Sequence, residues 1–234
     1  MTFSFDLSGR TALVTGASSG LGTRFGRILA ASGARVALGA RRADRLAALA
    51  AEIGPQAAAV TMDVAREADI VAGFDAAEAA FGGPVDTVIA NAGADGAGMA
   101  TTISEEEIEQ TLAINLKGAI LTAREGARRM IANGVTKGRI VLVASITAFE
   151  PSPGLVAYAA SKAGVVQAGR TLAREWARAG ITVNTVSPGY IRTAINDAWF
   201  DTEGGKKQIA RFPKRRLMGE EGLDAMILFL CSEA

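Results

Sequence analysis

The chain has 234 residues, 49% of them hydrophobic, a net charge of +1, one cysteine and no histidine. That length suits one α/β domain with a large core. The absence of histidine excludes a Ser-His-Asp hydrolase, a Cys-His protease and a zinc site with the usual imidazole ligands, so no metal is expected and any proton transfer must use Tyr, Lys or a carboxylate. Balanced charge without a basic stripe argues against nucleic acid, and the KRR triple at Lys214, Arg215 and Arg216 reads as a solvated turn.

The N-terminus lacks a basic region followed by an apolar one, so it is not read as a secretory signal. No apolar run approaches the ~18 residues of a membrane span. The single thiol at Cys231 cannot form an internal disulfide, which fits a reducing cytoplasm.

Short apolar runs alternate with helical patterns along the chain. Residues 11–16 (TALVTG) read as a buried strand and 21–31 as a helix. A second strand is expected at 34–40, then a helix at 42–53 ended by Gly54-Pro55. A third strand is expected at 57–64, and a helix at 66–81 that stops at Gly82-Gly83-Pro84. Residues 85–93 (VDTVIANAG) read as a fourth strand. Ser104 and Glu107 form an S-x-x-E capping box, and the helical pattern behind them runs to about Ala132. Strands are expected at 138–145 and 181–189, with a long helix at 155–179 between them and a final helical stretch from Glu220. Nearly continuous apolar strands separated by helices indicate a parallel sheet covered on both faces. The expected fold class is therefore α/β, a doubly wound parallel sheet of Rossmann-like type in one domain, with ligands beyond the carboxyl ends of the strands.

The turn after the first strand is TGASSGLG, with Gly16, Gly20 and Gly22 spaced G-x-x-x-G-x-G. A glycine-rich turn is also what a plain strand-to-helix connection needs. Its place at the first strand-helix junction points to a phosphate cradle made by Gly16, Ser18, Ser19, Gly20, Leu21 and Gly22. NAD binders usually put an acid at the end of the second strand to hold the ribose 2′-hydroxyl. Here Ala40 is followed by Arg41 and Arg42. Arginine pairs with a 2′-phosphate and stacks on adenine, so NADP is favoured over NAD, with Arg41 the better of the two.

These motifs occur in order with MDV at 62–64, NAG at 91–93, IN at 114–115, Ser145, YAASK from Tyr158 and SPG at 187–189. Together they resemble the short-chain dehydrogenase/reductase family from about Gly9 onward. The resemblance implies an oxidoreductase that moves a hydride between NADP(H) and a ketone or alcohol. It implies catalytic roles for Ser145, Tyr158, Lys162 and Asn115, with Asn115 in a local helix distortion that holds a water between Lys162 and solvent. Lys162 would also hold the nicotinamide ribose. On a helix Lys162 stands one turn from Tyr158, and its charge is expected to lower the phenol from its free pKa of ~10 by ~1–3 units. Asp63 and Val64 would flank the adenine, and Asn91 would steady the sheet. Ala92 and Gly93 would approach the cofactor. Pro188 and Gly189 would open the nicotinamide-side loop, with Ile191 and Thr193 on the carboxamide.

Residues 194–216 depart from the strand-helix pattern and match the position of a substrate lid. Trp199 and Phe200, with Phe149, Pro151 and Pro153, are expected to form an apolar wall. The family further implies a homo-oligomer, dimer or tetramer, packed through the long helix after Tyr158, and one more strand and a glycine-containing tail beyond Ala234. The competing function is a dinucleotide-binding sensor or scaffold without turnover. The complete Ser145, Tyr158 and Lys162 set argues against it.

Overall fold

The computed structural model describes residues 5–192 and 197–234. Six parallel strands form one sheet in the order β3-β2-β1-β4-β5-β6. They are β1 (Thr11–Thr15), β2 (Arg35–Ala40), β3 (Ala57–Thr61), β4 (Thr87–Ala90), β5 (Gly138–Val143) and β6 (Ile181–Val186). The strand order reverses between β1 and β4. In such sheets the crevice beyond the carboxyl ends at that reversal is where ligands sit.

The apolar strands alternate between two buried layers. Ala12 and Val14 face α1 (Gly20–Ala31), α2 (Ala43–Ile53) and α9 (Asp224–Cys231), in a layer that includes Phe25, Leu29, Leu46 and Ile227. Leu13 and Ile140 face α3 (Glu67–Phe81), α5 (Gly118–Ala132) and α6 (Val156–Trp176), with Phe74, Ala123, Met130 and Val165. Both Phe25 and Phe74 are fully buried, one per layer, and truncating either to Ala would cost about 3–5 kcal/mol.

The helices follow the sequence signals. Ser104 Oγ accepts from the Glu107 N–H, and Glu107 accepts from the Ser104 N–H, so the capping box starts α4 (Glu105–Leu112). The helix expected to run on to Ala132 is interrupted by a π-helical turn at Ala113–Lys117. The long helix ends at Trp176, followed by a 3₁₀ turn at Ala177–Ala179 and Gly180 at φ 75°. Residues 197–211, expected to be irregular, instead hold two short helices, α7 (Asp197–Asp201) and α8 (Glu203–Arg211).

Several strands end sooner than their apolar runs. β3 stops at Thr61, β4 at Ala90, β5 at Val143 and β6 at Val186. Beyond those points other partners take up the backbone groups. The N–H groups of Asn91 and Ala92 go to Thr15 Oγ1, and Ala65 N donates to Asp63 Oδ1. The residues released from the ladder are the ones that build the crevice. Among the described residues, no helix is long and apolar enough to cross a membrane.

Candidate active site

The β1–α1 turn packs tightly against the start of the β4 loop. Gly16 has φ 70°, and a Cβ there would lie 2.8 Å from Ala92 Cα and 2.9 Å from Asn91 Nδ2. A Cβ on Gly22 would lie 2.2 Å from the Gly16 carbonyl oxygen. These two glycines are therefore required by contacts inside the protein itself. Asn91 completes the junction, its Nδ2 donating to Thr15 O at 3.0 Å. Gly20 opens α1 at φ 52°, and Leu21 leans on the core.

The first turn of α1 carries no acidic residue, and its N-cap, Ser19, makes no capping hydrogen bond with its side chain. The guanidinium of Arg42 lies over this turn. Its Nε and Nη2 donate to Ser18 Oγ at 3.0 and 2.8 Å, and Nη2 donates to Ser19 Oγ at 2.8 Å. Positive charge, hydroxyls and helix N–H groups thus converge on one spot, an arrangement that suits phosphate. The expectation preferred Arg41, but it is Arg42 that reaches the loop. Arg42 occupies the N-cap position of α2, where the chain turns back from β2 toward the glycines.

Other expected positions divide between crevice and core. Asp63 is partly exposed at the carboxyl end of β3, while Val64 is buried in the core, where it packs on Gly118. A Cβ on Gly93 would lie 3.4 Å from Asn115 Oδ1 and 3.7 Å from Lys162 Nζ, so Gly93 fits against those side chains. The Pro188 carbonyl accepts from Ile146 N at 2.9 Å, and Gly189 is exposed with open space where a Cβ would be. Ile191 is only 3% exposed and bridges to Met218, so its side chain faces the core layer under α9 and not the crevice. Thr193 lies outside the described residues, as do residues 194–196 of the expected lid.

Ser145, Tyr158, Lys162 and Asn115 are brought together. Ser145 follows the end of β5 and is buried. Tyr158, partly buried in the first turn of α6, lies close enough to Ser145 for the serine hydroxyl to stabilise its phenolate. Lys162, one turn on, is 4% exposed and lies 5.6 Å from the Tyr158 ring centroid. Its Nζ donates to the Val143 carbonyl at 2.8 Å. Asn115 sits in the π-helical turn. It accepts from Ala94 N at 2.8 Å and donates to Ala94 O at 2.9 Å and to Ser161 Oγ at 3.1 Å. Ser161 in turn donates to the Tyr158 carbonyl at 2.6 Å. From the π turn one asparagine reaches both the β4 loop and α6.

The electrostatics differ from the expectation for Tyr158. Burial raises its phenol above the ordinary value, the Ser145 hydrogen bond pulls it down, and the negative charge of Asp95 pushes it up again. The lysine is itself destabilised as a cation, burial pushing Lys162 down to about 8. Desolvation is thus the leading influence on the phenol, and its direction is opposite to the lowering expected from the neighbouring amine.

Of the residues expected in the apolar wall, two keep large exposed rings. Phe149 is 60% exposed and Trp199 51% exposed. Phe200 is not available to it: it is 2% exposed and packs edge-on against Tyr190. Lys206 pairs with Glu203. Three residues of the cluster escaped the reading of the sequence. Asp95 lies two residues past the NAG motif, Ser161 links Asn115 to Tyr158, and Thr147 hydrogen-bonds to Ser145. Only the short spacing of Thr147 and Ser161 from Ser145 and Tyr158 marks them in the sequence.

Residues 10–204 match the family model of short chain dehydrogenases. The chain belongs to that family. Similar members include a D-threitol dehydrogenase of Mycolicibacterium smegmatis, 37% identical over 99% of this chain and 89% of that one. Among solved structures, a gluconate 5-dehydrogenase from Burkholderia cenocepacia in complex with NADP and tartrate superposes with a TM-score of 0.91 at 31% identity, covering 97% of this chain and 90% of that one. A 3-ketoacyl-(acyl-carrier-protein) reductase from Brucella melitensis complexed with NADH gives 0.88 at 33%, covering 97% and 93%. Short-chain dehydrogenases are oxidoreductases that bind a nicotinamide dinucleotide, and the crevice at the β1/β4 reversal is where this chain gathers its glycine turn, Asn91 and the Ser145–Tyr158 pair.

Proposed function

We propose that this short-chain dehydrogenase interconverts a ketone and an alcohol with NADP(H), with Tyr158 as general acid and base. The convergence of Ser145, Tyr158 and Lys162 on one crevice, with Lys162 one turn from Tyr158 on α6, carries the reading. When bound, the nicotinamide supplies or takes up the hydride. The residues present fit such a group. The glycine turn and the acid-free first turn of α1 suit its pyrophosphate, and Arg42 with Ser18 and Ser19 suits a 2′-phosphate.

In reduction Tyr158 gives its proton to the carbonyl oxygen, and in oxidation it takes the alcohol's proton back. Ser145 donates a hydrogen bond to the same oxygen and stabilises charge developing there. Lys162, at about 8, is mostly charged at neutral pH and favours the phenolate when the proton leaves. Asn115 holds the β4 loop, through Ala94, against Ser161 of α6.

The exposed Phe149 and Trp199 support a partly apolar wall, under a lid formed by residues 194–216. The threitol and gluconate enzymes among the relatives favour a hydroxylated substrate. A buried free thiol, Cys231, agrees with a reducing cytoplasm. Self-association is supported by an apolar groove of about 460 Å³ on α4 and α5, lined by Leu112, Ala113, Leu116, Ile120 and Leu121, and its continuation to Gly164 and Leu172 on α6.

The test is turnover of a panel of polyols and hydroxyketones followed by the absorbance of the reduced nicotinamide. Tyr158→Phe is expected to lose about 10²–10⁴ in kcat. Wild-type turnover by that variant would reject the assignment. Tight NADPH binding with no turnover on any substrate would favour the sensor.

A further inference from the structure

The surroundings of Ser145 fix which way its hydroxyl can act. Its oxygen accepts from the Thr147 backbone N–H at 3.2 Å and pairs with the Thr147 hydroxyl at 3.0 Å. Ser145 and Thr147 are 9% and 7% exposed, so both hydroxyls lie largely out of bulk solvent. A serine hydroxyl has one proton and two acceptor sites. Thr147 Oγ1 has Ser145 as its hydrogen-bond partner among the described residues. Both contacts run from Thr147 into Ser145 Oγ, which leaves the Ser145 proton unspent. In this arrangement the Thr147 N–H and O–H both donate into Ser145, and the Ser145 proton is left to turn toward the nearby Tyr158 hydroxyl or a substrate oxygen.

Resting on the catalytic reading of Ser145 and Tyr158, we propose that Thr147 is a positioning residue whose hydroxyl fills the second acceptor site of Ser145 and so holds Ser145 as a donor only. Two consequences follow. Ser145 can donate to a carbonyl or alkoxide oxygen but cannot accept the proton of an alcohol, so Tyr158 alone takes that proton. A Ser145 proton turned toward Tyr158 continues the chain head to tail from Thr147, and each bond polarises the next by about 10–30%. The backbone N–H of Thr147 occupies the first site whatever the side chain. The side-chain hydroxyl is the part a substitution can remove.

The test uses Thr147→Val, which keeps the shape and removes the hydroxyl, and Thr147→Ser, which restores it. The chain has two tyrosines. In a Tyr190→Phe background Tyr158 is the remaining one, and the substitution keeps the ring that stacks on Phe212. The ultraviolet absorbance of tyrosinate then reports the Tyr158 titration with no substrate or coenzyme added. Thr147→Val is expected to move that titration to higher pH and to lower kcat about 10-fold, less than the loss of a direct oxyanion donor, with KM changed less than about 2-fold. Thr147→Ser is expected to restore the titration and the rate. An unshifted titration in Thr147→Val overturns the proposal. So does a Thr147→Ser variant as impaired as the valine, because methyl packing would then be the cause. On a Ser145→Ala background Thr147→Val should add little, and an undiminished 10-fold loss there would show that Thr147 does not act through Ser145. The titration needs no turnover, so it judges Thr147 separately from Tyr158→Phe, which judges the catalytic reading.

Discussion

Lys162 donates to the carbonyl of Val143 at 2.8 Å, at the carboxyl end of β5. The contact anchors α6 to the central sheet and holds an ammonium in a place that disfavours its charge. Burial lowers Lys162 to about 8, against 10.5 for the free side chain. Between those values the unfolded chain binds the proton and the folded chain does not, so in that window this group makes stability rise with pH. Cys231, pushed up to about 12 by burial, acts in the opposite sense above its ordinary value of 9.0. The comparison with Lys162→Met cancels that contribution. From pH 7 to pH 9 the wild type should gain about 1 kcal/mol relative to Lys162→Met in urea unfolding. Parallel pH dependences of the two proteins would contradict the buried, shifted amine.

Arg42, and not Arg41, should set the preference for the phosphorylated coenzyme. Loss of a charge-assisted pair costs about 1.5–3 kcal/mol, so Arg42→Ala is expected to weaken NADPH about 10- to 100-fold while leaving NADH nearly unchanged. Arg41→Ala should do much less, since it is Arg42 that reaches Ser18 and Ser19. Fluorescence titration of both nucleotides against both variants decides it. Equal losses for NADPH and NADH would reject a 2′-phosphate role.

Asp95 should tune the proton exchange from the rim of the crevice. Its exposed carboxylate raises the Tyr158 phenol, so Asp95→Asn is expected to lower it. The rising limb of the pH profile for alcohol oxidation should then move to lower pH. The change should shrink in high salt, because the charge is exposed. A shift to higher pH, or none at low ionic strength, would contradict the assignment.

Leu116 joins the apolar grooves on α5 and α6, and it packs against Gly164. Leu116→Arg places a charge in the middle of that surface and is expected to turn a dimer or tetramer into monomers in analytical ultracentrifugation. Assembly unchanged in that variant would place the contact between copies elsewhere.

The layered fold was legible from the chain because its signals are local. Apolar runs such as TALVT and GRIVLV, helices stopped by Gly54 and Gly82, and the Ser104–Glu107 box each act within a few residues. The ordered motifs likewise pointed to Ser145, Tyr158, Lys162 and Asn115 as one group, and the fold does bring them together. What required the tertiary structure was everything set by contacts between distant segments. Strand ends depend on which backbone groups find ladder partners, and Thr15 takes up the N–H groups of Asn91 and Ala92 from across the sheet. Whether Arg41 or Arg42 meets the glycine turn depends on the path from β2 into α2. Ile191 and Phe200 looked like crevice residues and are buried, because the chain after β6 packs against Met218 and Tyr190. The direction of the Tyr158 shift was likewise beyond the sequence: spacing places Lys162 one turn away, but desolvation depends on how deeply the packed core encloses both groups.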